Sequence, residues 1–263
     1  MGRIKTLKAR EILDSSGNPT LEGWLELDSG VMVSAQLPSA LSAGPFEGTE
    51  LRDGDLNRYH GQGVTIPVHY INNAIAQKIT GVDISQREDI DAWLLKADGT
   101  EKLQKLGVNT VMLISMLLVK AEAASAGVPF YVFINQLLNK KFELDVQIQT
   151  IPSPIFNLMN GGSQGTNHLN FHEFHIIPST STPYPDSLLL ASELHTAIRD
   201  LFKQRNVIVP SSDEGGYVPT LTSNFEALDI IQELVVGKKY KLGVDVFVGI
   251  DCVADTFYKD KKY

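Results

Sequence analysis

The sequence predicts an α/β protein in two parts: an N-terminal α+β domain over residues 1–139, and an α/β layer over residues 140–263. Three observations carry this. The first forty residues alternate like a half-buried antiparallel meander. Residues 71–127 carry apolar positions at helical spacing. After Ile151, strand-like runs interleave with helical ones, which argues for a parallel layer.

In order along the chain, Ile4–Leu13 is strand-like and leads into the turn-rich Asp14–Pro19. Leu21, Gly23, Leu25 and Leu27 then alternate with Glu22, Trp24, Glu26 and Asp28, so the outer face is expected to carry the charges. Asp28-Ser29-Gly30 supplies hairpin turn chemistry before Val31–Leu37. Further on, Val111, Ile114, Leu117, Leu118 and Ala121 share one helical face, with Asn109 read as the cap and Gly127 as the terminator. Lys140–Thr150 reads as the linker.

In the second part, Ile155–Met159 and Asn170–Ile177 read as strands around the glycine-rich Asn160–Asn167. A helix follows over Asp186–Gln204. Another opens at Ser223, with Glu226 three residues on, a capping-box pattern. Val244–Asp251 is a buried strand that delivers a carboxylate to its C-terminal end. Such a carboxylate belongs to a site assembled from several strands, and only three are visible here, so the chain is expected to be catalytically incomplete by itself.

The net charge of −8 and pI near 5.2 disfavour nucleic acid and anionic membranes as general partners. The longest apolar run, Val111–Val119, is short for a bilayer span, and Met1–Leu13 has no apolar core of signal-peptide length. The lone Cys252 excludes an internal disulfide, fits a reducing compartment such as the cytoplasm, and reads as a core thiol.

Glu173, Glu214 and Asp251 stand out chemically. Carboxylates at strand ends and in glycine-tight loops bind divalent cations or move protons, although an outward strand residue, a turn former and a helix cap explain the same three positions. Ser39 and Ser42 lie in Pro38–Gly44, a small-residue loop that either closes over a ligand or merely connects. His172 and His175 are three apart on an expected strand, which puts them on opposite faces. His195 reads as a helix-surface or packing residue.

Taken in order, Ala9–Thr20 (AREILDSSGNPT), Glu50–Asp55 (ELRDGD), Tyr59–Val64 (YHGQGV), Asp98–Thr100 (DGT), Asn157–Gly162 (NLMNGG), Asp213–Tyr217 (DEGGY), Asn224–Leu228 (NFEAL) and Gly249–Asp251 (GID) resemble the enolase family. The resemblance implies an N-terminal meander-plus-helices domain and an enolase-type α/β (TIM-like) barrel, here incomplete. It implies Mg2+-dependent dehydration of 2-phosphoglycerate to phosphoenolpyruvate in glycolysis, in a cytoplasmic homodimer. It assigns Glu214 to the acid that assists loss of the hydroxyl, Glu173 to its neighbouring carboxylate at the substrate, Asp251 to the first magnesium ligand, and Ser39 to the loop serine that meets a second metal. The family's lysine base and remaining metal carboxylates would lie beyond the point matching Tyr263.

Four departures qualify the resemblance. Ala40, Leu41, Ser42 and Ala43 replace the family's glycine-alanine-serine-threonine loop. Gln164 stands at a substrate-binding histidine, His172 at a glutamine, and Ser16 at an arginine. A non-catalytic binding or structural subunit, or one half of a split enzyme, is therefore the alternative.

Overall fold

The computed structural model describes residues 2–39, 44, 46–162 and 169–263. They form two compact units, Met1–Ile148 and Gln149–Tyr263, and the division falls inside the expected linker.

The first unit opens with the expected meander. β1 (Ile4–Leu13), β2 (Pro19–Leu27) and β3 (Met32–Gln36) form an antiparallel sheet in that order. The inner faces of β1 and β2 bury Ile4, Leu7, Leu21, Leu25 and Leu27. The outer face is less open than alternation suggests. Glu22 is buried because Arg10 and Gln36, its cross-strand neighbours, each reach its carboxylate at 2.7 Å, while Arg10 also lies over the Trp24 ring.

Helices follow: α1 (Thr65–Tyr70), a π-helical turn (Ile71–Ile75), α2 (Ala76–Ile79), α3 (Arg87–Asp98), α4 (Val108–Ser125) and α5 (Phe130–Phe142). By length and composition α4 is apolar enough to cross a membrane, more so than its longest uninterrupted apolar run suggests. Its apolarity has another cause. Val111, Leu113, Ile114, Leu117, Leu118 and Ala121 are all buried in the core formed with the sheet. Gly127, at φ +69, follows the helix as expected.

Asn109 does not cap α4, because Gly107 holds that position. The Asn109 side chain is buried, where its amide oxygen accepts from the Leu51 N–H and its nitrogen donates to the Leu51 carbonyl, both at 3.1 Å. A buried amide satisfied by a distant segment of the same chain is worth more here than a cap.

Polar fixtures hold the loops of this unit. Glu11 on β1 receives the Arg58 guanidinium and the Val64 N–H. Asp53 accepts from the N–H groups of Thr65 and Ile66, which closes the start of α1. Buried Asp98 accepts from the N–H groups of Thr100, Lys105 and Leu106 and from the Thr100 hydroxyl.

The second unit contains β4 (Phe156–Asn160), β5 (Glu173–Pro178), α6 (Tyr184–Gln204), α7 (Asn224–Gly237) and β6 (Val246–Asp251). Ser223 caps α7, accepting from the Glu226 N–H, as its pattern predicts. The sheet order is β4-β5-β6, and both pairings are antiparallel rather than parallel. Connectivity accounts for this correction. No helix among the described residues separates β4 from β5, and two helices separate β5 from β6, so the chain reverses an odd number of times at each step. Phe174 and Ile176 point to a core made with Leu190, Leu194, Ile198, Ile230 and Ile231. Glu173 and His175 take the opposite face. Cys252 is half-buried rather than a core thiol, because it lies past the exposed end of β6.

Burial pushes the Asp98 carboxyl up, but its hydroxyl and amide donors outweigh this and hold it below the ordinary carboxylate range. Its contribution is therefore full above the unfolded value of about 4 and is lost as pH falls through the lower folded value. Asp98→Ala should cost about 3 kcal/mol in urea unfolding at neutral pH, by stranding buried N–H groups. Asp98→Asn should flatten the acid limb of stability below about pH 4.

Candidate active site

One end of the second sheet collects the polar side chains. Because β5 runs against its neighbours, its first residue, Glu173, lies beside the last residues of β4 and β6. Asn160, Glu173 and Asp251 form a register row across the sheet. Residues paired in this way project from one face, with Cβ atoms about 5 Å apart between neighbouring strands.

Asn157 reaches the same row. In a regular strand it would face away from Asn160, three positions on. A register shift between Asn157 and Met159 reverses that, and Asn157 Nδ2 donates to Asn160 Oδ1 at 2.9 Å and to Glu173 Oε1 at 3.1 Å. The carboxylate of Glu173 is also met at 2.7 Å by His175 Nε2.

Glu214 arrives from a separate turn. Ser212 Oγ donates to Asn160 Oδ1 at 2.8 Å, the Glu214 N–H donates to that same hydroxyl at 3.2 Å, and Asn160 Nδ2 donates to Glu214 Oε2 at 2.7 Å. The backbone of Tyr217 pairs with β4, its N–H to the Leu158 carbonyl and its carbonyl to the Asn160 N–H. Asn160 is fully buried and thus ties the turn to the sheet. Gly216 passes so close that a Cβ there would lie 2.2 Å from Asn160 Oδ1.

The remaining oxygen of Glu214, Oε1, faces His172 Nε2 at 3.2 Å. His172, Glu173 and Glu214 each offer a ligand atom within 4.8 Å of the others. Asp251 is not in that group. It is exposed, and its Oδ1 accepts from the Val253 N–H at 2.9 Å. Carboxylates concentrated at one sheet end attract a cation and can exchange protons with a bound molecule.

The expected residues thus divide. Glu173, Glu214 and Asp251 share one end of the second unit. Ser39 belongs to the first unit, where its hydroxyl donates to Asp14. That hydrogen bond is the largest cause holding the Asp14 carboxyl below its ordinary range. Gln164 and residues 40–43, including Ser42, lie outside the described residues.

His172 and His175 engage different carboxylates, as their spacing suggests. His172 nevertheless belongs to the group of possible ligands, because it precedes β5 and escapes the strand alternation applied to it. Asn157, Asn160 and Ser212 were not singled out by sequence reasoning. The two asparagines of Asn157–Gly162 were a usable signal only with knowledge of the register shift.

Gly216→Ala should lower stability by about 1–3 kcal/mol in urea unfolding, because the added methyl must displace Asn160 or the turn.

Comparison with known proteins agrees with this architecture. Residues 4–134 match the enolase N-terminal domain, and residues 148–263 match the enolase C-terminal TIM barrel domain. An enolase of Ehrlichia ruminantium (strain Gardel) is 38% identical over 261 residues, covering 99% of this chain and 60% of the relative. An enolase of Ehrlichia canis (strain Jake) is 36% identical over 260 residues with the same coverage. The chain spans about 60% of the length of these curated relatives. With two enolase domains matched in order through nearly its whole length, the chain belongs to the enolase family.

Proposed function

We propose that this chain carries the acid side and the first magnesium ligand of an enolase active site, which dehydrates 2-phosphoglycerate to phosphoenolpyruvate. The observation that best supports this reading is the grip of Asn160 on Glu214 beside the Asn160–Glu173–Asp251 row.

In this reading Glu214 delivers a proton to the departing hydroxyl, which leaves as water. Asn160 fixes one oxygen of Glu214, so the other is aimed by the turn rather than by a free side-chain rotor. Glu173, held by Asn157 and His175, borders the same space and orients the substrate, a role that the resemblance also gives Gln164.

Asp251 would hold the magnesium, and its exposed carboxylate suits a hard cation that keeps several waters. Ser39, whose hydroxyl now donates to Asp14, would be the residue to meet a second metal. Magnesium, when bound, would supply positive charge that offsets the negative charge developing on the substrate.

Among the described residues no lysine or arginine is paired with Glu173, Glu214 or Asp251. In this reading the proton acceptor is the lysine base that the family resemblance implies. The intact enzyme, in this reading, is a cytoplasmic homodimer working in glycolysis.

Turnover followed by ultraviolet absorbance tests the proposal. The 263-residue chain with magnesium should show none by itself and should gain it on mixing with a polypeptide carrying the later barrel strands of one of the relatives. Glu214→Gln should then lower the restored rate by about 10²- to 10⁴-fold. Turnover by the chain unaided, or a restored rate indifferent to Glu214→Gln, would overturn the assignment. A folded mixture that never turns over would favour the non-catalytic subunit.

A further inference from the structure

The turn that presents Glu214 is fastened on one side to the sheet. Its other side faces α6 across a cleft of about 520 Å3, lined in part by Asn157, Ser192, His195, Glu214 and Gly215. Close packing cannot hold a chain segment that borders open space. A directed polar contact must do so instead.

His195 supplies it. The half-buried imidazole on α6 lies 3.1 Å from the Gly215 carbonyl through Nε2, and 3.4 Å from the Tyr217 hydroxyl through Nδ1. A carbonyl only accepts, so Nε2 carries the proton, while Nδ1 pairs with the tyrosine hydroxyl, which can donate or accept. The ring also stacks on Tyr217, with centroids 4.5 Å apart and planes 29° from parallel. Tyr217 is buried and bonded through its backbone to β4, so it gives the imidazole a fixed platform. The hydrogen bond therefore reaches Gly215, next to Glu214, from a rigid support.

We propose that His195 is a positioning residue that fixes the 212–217 turn through the Gly215 carbonyl and so aims the Glu214 carboxylate. Its catalytic meaning rests on the reading of Glu214 given above. The sequence suggests a helix-surface or packing histidine. Packing accounts for the stack on Tyr217 but not for an N–H directed at the neighbour of the acid.

Amide hydrogen exchange on the full 263-residue chain tests the inference. His195→Phe keeps a ring on Tyr217 and removes both polar contacts, whereas His195→Gln places an N–H near the Nε2 position. The phenylalanine variant should raise exchange at Glu214–Tyr217 about tenfold, the effect of losing one hydrogen bond. Protection in β4 and β5 should fall no further than global stability does, the unfolding midpoint should drop by no more than the loss of that one hydrogen bond, and the glutamine variant should return the turn toward wild-type protection. Unchanged exchange in the turn with His195→Phe, a loss spread through α6 and the sheet, or failure of His195→Gln to restore the turn would each overturn the inference. Exchange that follows the expected pattern, while Glu214→Gln leaves restored turnover intact, upholds the positioning of the turn and overturns the reading of Glu214 as the acid.

Discussion

The Asn160 carboxamide is the constraint on which the second unit depends. It is fully buried, and its oxygen accepts from Asn157 and Ser212 while its nitrogen donates to Glu214. Leaving any of these partners unmet in the interior would cost about 1–3 kcal/mol, so the side chain has little freedom to move. One amide consequently links β4, the β5 carboxylate through Asn157, and the turn that carries Glu214. The site is not a set of acidic residues that happen to be close. It is a hydrogen-bonded network in which neutral amides hold the charged groups.

The direction of β5 is equally consequential. A parallel β5 would put Glu173, at its start, at the opposite sheet end from Asp251. The antiparallel strand brings the two into register instead. It also divides the sheet cleanly: Phe174 and Ile176 enter the core with α6 and α7, while Glu173 and His175 take the other face. Folding and chemistry thus use alternate residues of one strand. The first unit shows the same economy, since Glu11, Asp53 and Asp98 each satisfy backbone N–H groups that loops would otherwise strand.

Much of this was legible in the sequence. Alternation placed the meander, helical spacing placed the buried face of α4, and the Ser223–Glu226 pattern placed the start of α7. Glu173, Glu214 and Asp251 could be picked out as carboxylates within an expected strand, in a glycine-tight turn and at a strand end. What escaped was non-local. Asn109 looked like a cap because its partner, Leu51, is 58 residues away. The strand directions escaped because interleaved strands and helices imply parallel pairing only where one helix separates successive strands, whereas none among the described residues separates β4 from β5 and two separate β5 from β6. Asn157 and Asn160 escaped because a single register shift moves them to one face, and no residue type announces such a shift. The family resemblance supplied the roles of the acids, while the network that holds them came from tertiary contacts.

The most direct test of the account is where a hard divalent cation binds. Mn2+ can stand in for magnesium and broadens nearby amide resonances of the isotopically labelled chain. The account predicts that Gly249–Asp251 and His172–Phe174 broaden first, and that Asp251→Asn removes the effect. Broadening that begins at another acidic surface, or that survives Asp251→Asn unchanged, would contradict it.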